Sequence, residues 1–241
     1  MLKYEEKALL ELRSWQKKME RRPSITSRIT KGFQRKVNNL IPEKAHEIIT
    51  GTIKNMVKVV LTGSEYTAKQ PLPLASFEDR EKLIRQKIDF YKKTAAASGA
   101  GTGAGGFLIG LADFPILMGL KIKFLFDAAS IYGFDVKDYK ERLFILYVFQ
   151  LAFSSQERQF EVYHNMLNWD NHVKILPSNI NDFEWRTFQQ EYRDYIDIAK
   201  MLQMLPGIGA FVGAYANYKL MDKLGETAIN AYRMRILNKA Y

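Results

Sequence analysis

Apolar residues recur at three- and four-residue spacing along almost the whole chain, and no stretch alternates convincingly at period two. That pattern belongs to helices rather than strands, so the chain reads as all-α. In residues 4–22, Leu9, Leu12, Trp15 and Met19 form one stripe, and Pro23 stops the helix. Ser24 caps a second predicted helix over 25–40, with Ile25, Ile29, Phe33, Val37 and Leu40 on one face. Pro42 suits a first helical turn, and Ile48, Ile49, Ile53, Met56, Val57 and Val60 carry a third helix over 43–62. Residues 63–75, with Pro71 and Pro73, read as a loop. The chain thus divides into N-terminal helices, 1–75, packed on a helical core, 76–241.

Ser76 and Asp79 open the next helix, to about residue 97, because side-chain oxygens there satisfy orphan amides. Gly133 ends a later helix in the C′ position, where glycine adopts a left-handed backbone cheaply. The helix predicted over 137–153 is apolar from Leu143 to Phe153 except for Gln150, which predicts burial on all sides. Helices follow over 156–168, then after Asp182 with Trp185, Phe188, Tyr192 and Tyr195 as a core stripe, and finally over a basic tail, 219–240.

Two runs interrupt this regularity. Between Lys93 and Lys121 the sole charged residue is Asp113, and the run holds Gly99, Gly101, Gly103, Gly105, Gly106, Gly110 and Gly119. A second uncharged run, 201–218, holds Gly207, Gly209 and Gly213. Small residues four apart, as in Gly101/Gly105, Gly106/Gly110 and Gly209/Gly213, let helix backbones approach closely. Two glycine-rich apolar helices packed as a hairpin are therefore expected. As one helix the first run would span roughly 40 Å, against roughly 30 Å of hydrocarbon. Three readings stay open: packed core helices, a hairpin dipping into a bilayer, or two spans. Asp113 counts against spans, since a central carboxylate costs about 2.5–3.5 kcal/mol on insertion. Pro115, two residues later, reads instead as a helix start capped by Asp113. Residues 101–106 fit G-x-G-x-x-G, but a dinucleotide site needs a strand before it, and residues 88–97 read as helix.

Charge separates the two ends. The 241 residues hold 36 Lys/Arg and 26 Asp/Glu, a net +10. Residues 1–60 alone hold 14 basic and 6 acidic residues, a local +8, whereas 134–199 hold 7 and 11, a local −4. The basic segment includes Lys17, Lys18, Arg21, Arg22, Arg28, Lys31, Arg35 and Lys36, interleaved with Trp15, Ile25, Ile29 and Phe33. Cations flanking an apolar helix face suit an anionic membrane surface. Zinc-finger spacing and RNA-binding signatures are missing, so no nucleic acid is expected. The absence of Cys removes thiol chemistry and Cys-ligated metal. His46, His164 and His172 show no metal-binding spacing, and no nucleophile elbow or phosphate loop occurs. No metal, cofactor or catalytic residue is expected. The charged N-terminus lacks a secretory signal, which places the protein in, or facing, the cytoplasm.

The segment Gly101-Thr-Gly103-Ala-Gly105-Gly106, Asp113-Phe-Pro115, and then Tyr132-Gly133-Phe-Asp135 with Glu141-Arg142-Leu143, resembles the EcsC protein family. Residues 206–218, with Gly213 and Asn217, resemble its second glycine segment. The resemblance implies an all-helical bacterial protein without an established reaction, at the inner face of the cell membrane, in a family whose members can be encoded beside an ABC transporter. Asp113, Pro115, Tyr132, Gly133, Asp135, Arg142 and Asn217 carry over as motif positions, and Asp113, Arg142 and Asn217 are expected to form one polar network bracing the glycine helices. The function implied is a non-enzymatic accessory protein, peripheral to the membrane and linked to transporter subunits. The alternative is an enzyme or a small-molecule or lipid binder with a pocket near Asp113.

Overall fold

A computed structural model describes residues 3–21, 43–62, 75–103, 106–154, 156–176 and 210–237. They form eight helices, with no strand among the described residues. These are α1 (Lys3–Met19), α2 (Glu43–Thr62), α3 (Phe77–Gly103), α4 (Gly106–Tyr132), α5 (Tyr139–Phe153), α6 (Gln156–Leu167), α7 (Trp169–His172) and α8 (Ala210–Leu237). The predicted helix at 25–40, the 63–74 part of the loop and the Trp185–Tyr195 stripe lie outside the described residues.

Local chemistry sets the boundaries. Ser76 Oγ accepts from the Asp79 amide at 3.2 Å and donates to the Asp79 carboxylate at 2.6 Å, which opens α3 as expected. Asp138 caps α5 by accepting from the Lys140 amide at 2.9 Å. At the end of α4, Gly133 has φ +93°. Its amide donates to Ser130 O at 3.1 Å and the Phe134 amide donates to Ala129 O at 2.9 Å, the paired bonds of a Schellman cap.

One expected boundary is wrong. Asp113 does not cap a helix and Pro115 does not begin one, since α4 starts at Gly106 and runs through both. Proline deprives the carbonyl four residues earlier of its amide partner. Burial of Phe114, Leu117 and Met118 around it outweighs that loss, and the ring of Pro115 faces solvent. The α3 helix also runs to Gly103, six residues beyond the expected end.

Three long helices form the central layer. Arg233 meets Glu81, Asp222 meets Lys92, and so α8 lies antiparallel to α3. Gly225 permits the close approach between them, because a Cβ there would sit 2.8 Å from Ile88 Cδ1. The α4 helix also runs antiparallel to α3, tied by Lys87–Asp127 at 3.1 Å and Ser98–Asp113 at 2.7 Å. It follows that α4 and α8 are parallel, and the Tyr132 and Tyr232 rings stack at 5.2 Å. The α5 helix is buried from Leu143 to Phe153 as expected, and packs on α4, α8 and α2. The α1 helix lies outside, parallel to α3, with Trp15 edge-on to Tyr163 of α6 at 5.9 Å. No helix among the described residues is long and apolar enough to cross a membrane.

The layer therefore has two poles. One holds Tyr4, Glu81, Tyr132, Gly133 and Arg233. The other holds the glycine-rich ends of α3 and α4 and the start of α8. A Cβ at Gly133 would need an unfavourable left-handed backbone and would sit 2.5 Å from Arg80 Nη1. Gly133→Ala should cost at least about 1–2 kcal/mol, read as a lower urea midpoint with an unchanged slope.

Candidate functional site

The first pole is organised by a carboxylate in the core. Glu81 is fully buried and Arg233 is 2% exposed. Arg233 Nε and Nη2 donate to the two Glu81 oxygens, each at 2.6 Å. Arg233 Nη1 donates to Glu11 at 2.9 Å. Tyr4 OH donates to Glu81 Oε2 at 2.9 Å and Tyr132 OH to Oε1 at 3.3 Å. One carboxylate thus joins α1, α3, α4 and α8. Burial alone would depress the Arg233 pKa, but its bonds to Glu81 outweigh that and raise it. Burial, reinforced by the Glu81 charge, drives the Tyr132 hydroxyl well above its ordinary range.

The residues after Tyr132 build a corner. Asp135 Oδ1 accepts from the Lys137 amide at 2.9 Å and holds the turn. Arg80 donates to the carbonyls of Ala75 at 3.1 Å and Ile131 at 2.9 Å. Arg142 donates to the carbonyls of Leu61, Val136 and Lys137 at 2.9, 3.1 and 2.6 Å. It thereby pins the end of α2 to the turn. Beside it, Glu141 accepts a bidentate bond from Arg235, one arm at 2.7 Å. The Arg235 guanidinium lies 4.0 and 4.5 Å from the ring centroids of Phe134 and Phe144.

The expected network of Asp113, Arg142 and Asn217 is not formed. Asp113 lies 19 residues before Tyr132 on α4, about 28 Å along the axis, whereas Arg142 is spent on carbonyls at the opposite pole. Asp113 instead accepts from Ser98 Oγ across the α3–α4 hairpin. Asn217 is fully buried, and neither its Nδ2 nor its Oδ1 has a hydrogen-bond partner.

Near Asp113 lies a residue that the sequence reading passed over. Lys121 is fully buried, and its ammonium donates weakly to Leu117 O at 3.4 Å. Desolvation lowers its pKa to about 8, against the smaller opposing pull of Asp113. Carried from the Tyr132–Tyr232 stack, the parallel register puts Lys121 opposite Met221 and its ammonium level with Asn217. Two polar groups with unmet bonding capacity thus share one level of the core.

Lys17, Lys18 and Arg21 are exposed at the end of α1 that points toward the glycine pole, with Lys18 lining the same cleft as Lys92, midway along α3. Ile116 and Tyr215, 66% and 64% exposed, project from α4 and α8 at the same pole, and Lys219 lies 5.7 Å from the Tyr215 ring. Gly101, Gly106, Gly110 and Gly213 lie within helices there. Gly105, Gly209, Arg22, Arg28, Lys31, Arg35 and Lys36 lie outside the described residues.

The chain matches the EcsC protein family over residues 6–237. It belongs to the EcsC protein family. It is 46% identical to "Protein EcsC" of Bacillus subtilis (strain 168) over 226 residues, 93% of each chain. It is 28% identical over 253 aligned positions to the "Uncharacterized protein YdbA" of the same strain, covering 94% of this chain and 90% of that one. No solved structure matches. Within this EcsC fold, the stretch from Tyr132 to Arg142 acquires a physical meaning: bond to the buried carboxylate, left-handed stop, turn, cap, ion pair and carbonyl clamp.

Arg233→Met leaves the Glu81 charge buried without its partner and should destabilise by about 3–5 kcal/mol. Adding Glu81→Leu should recover most of that loss, measured by urea unfolding. Lys121 titrates lower folded, at about 8, than its ordinary 10.5. The unfolded chain therefore binds more protons between those values, and stability rises with pH across that window. Lys121→Met should be more stable than the parent at pH 7 by on the order of 3 kcal/mol, with the gap closing between pH 8 and 10.5.

Proposed function

We propose that this protein is a non-enzymatic accessory factor that docks on the anionic inner face of the cytoplasmic membrane through its glycine pole, and serves an ABC transporter there. The carrying observation is that the cationic end of α1 points toward the pole at which Ile116 and Tyr215 are exposed. A surface offering cations beside isolated apolar side chains suits a leaflet with negative headgroups. The +8 charge of residues 1–60 supports the same reading. In it, the glycine-rich ends of α3, α4 and α8 pack as a close hairpin whose apolar tip meets lipid or a membrane subunit. Family membership supports the link to a transporter through the resemblance described above, and no residue is assigned a catalytic role.

A second reading, a small-molecule or lipid site beside Asp113, is favoured by the unmet bonding capacity of Lys121 and Asn217. Native mass spectrometry of the purified protein separates the two, since only the second requires a retained small molecule.

Each cation near an anionic leaflet is worth on the order of 1 kcal/mol. Replacing Lys17, Lys18 and Arg21 together by Glu should therefore weaken binding to phosphatidylglycerol vesicles roughly 100-fold or more. Sedimentation at low and high salt checks this, with circular dichroism confirming the fold. Unchanged sedimentation of the triple variant would overturn the docking reading.

A further inference from the structure

The α3–α4 hairpin presents one exposed side. On α4, Asp113, Phe124 and Asp127 face α3, where they meet Ser98, Tyr91 and Lys87. Ile116, Leu120 and Lys123 stand up to about a quarter turn from that seam, on the side away from buried Leu117, Lys121 and Leu125. On α3, Phe90 and Ala97 stand opposite Glu81 and Ile88, which face α8. Because the two helices are antiparallel, both sets emerge on the same outer side of the seam.

Phe90 and Ile116 are 59% and 66% exposed. Small residues lie between them: Ala97 is exposed, and a Cβ at Gly119 would meet nothing within 4 Å. Ile116 is three residues after Asp113 and eight before Phe124, which places it level with residues 95–99 of α3. The two large apolar side chains therefore stand roughly 10 Å apart along the hairpin.

The charge on this side is cationic. Lys93 and Lys123 are exposed, and neither pairs with a carboxylate among the described residues. The acid here, Asp127, is 14% exposed and already held, by Lys87 at 3.1 Å and by Tyr91 OH at 3.0 Å. Asp89 turns away and lines the cleft between α1, α3 and α8. Separate apolar side chains standing above small ones, with unpaired cations beside them, complement a surface that is anionic outside and apolar beneath.

We propose that this outer side of the α3–α4 hairpin is the face that meets an anionic bilayer, with the helix axes along the leaflet. Phe90 and Ile116 reach below the headgroups, and Lys93 and Lys123 lie among the phosphates. The proposal rests on the docking reading above and deepens it by naming the face and its orientation.

The chain has no cysteine, so one introduced thiol carries one label. Phe90→Cys, Ile116→Cys and, as control, Glu226→Cys in the cleft are each made in the full chain and labelled with an environment-sensitive dye. On phosphatidylglycerol vesicles the dye at positions 90 and 116 should brighten about twofold or more and shift to the blue. Lipids brominated high on the acyl chain should quench it there and not at position 226. Lys93→Glu with Lys123→Glu should weaken vesicle binding about tenfold or more, with the circular dichroism unchanged. If the parent sediments with vesicles and the dye at positions 90 and 116 does not respond, this face is wrong and docking stands. If the parent does not sediment with them, both readings fall. A response that needs no vesicle and grows with protein concentration marks a contact between two copies of the chain, and also overturns the proposal.

Discussion

A single buried carboxylate constrains the architecture. Glu81 has no water to fall back on, so every helix that approaches it must bring a donor. Arg233 brings two, Tyr4 and Tyr132 one each. A buried ion pair adds little net stability over an apolar substitute, but half of one is severely destabilising. That asymmetry fixes how α1, α3, α4 and α8 meet more sharply than apolar packing does, because apolar faces tolerate sliding and a bidentate pair does not. The Tyr132–Tyr232 stack, the closeness at Gly225 and the position of α1 all lie in the register that this pair sets.

From that anchor the two poles take different characters. The anchored pole is dense with directional bonds: three carbonyls held by Arg142, two by Arg80, and Glu141 held by Arg235 between two aromatic rings. The glycine pole has small residues and a proline inside a helix. A densely bonded pole opposite one built of small residues suits a protein that holds its shape from one end. A cleft between α1, α3 and α8 runs from the ion-pair cluster at Arg233 to Lys18 and Lys92, midway along the layer.

Much of the scaffold was legible in the sequence because it obeys local rules. Ser76 with Asp79, Gly133, and the fully apolar Leu143–Phe153 stretch state their structure within a few residues. The pairing of distant charges is not local. Glu81 opens the stripe Ile84, Ile88, Tyr91 and Ala95, and Arg233 sits among Ala228, Ile229 and Tyr232. A charge on the apolar face of a helix is a visible signal of a buried partner, and reading that face by periodicity would have flagged both residues, and Lys121 as well. What periodicity cannot supply is which cation meets which anion. Asp113 and Pro115 misled for a related reason: a cap-like pair is a local preference, and burial of Phe114, Leu117 and Met118 overrode it. Arg142 is among the motif positions, and its partners are backbone carbonyls, which leave no mark in sequence.

The Glu81–Arg233 pair joins residues 152 apart, and Arg233 also reaches back 222 positions to Glu11. On the ribosome, everything up to α7 emerges before the guanidinium that neutralises Glu81 exists as part of the chain. Until α8 arrives, the α3–α4 hairpin carries a carboxylate that cannot be desolvated cheaply, so it cannot close its own core. Final collapse of the layer is thereby deferred to the end of synthesis. Chains broken off before α8 are left open, with apolar helix faces exposed to quality control.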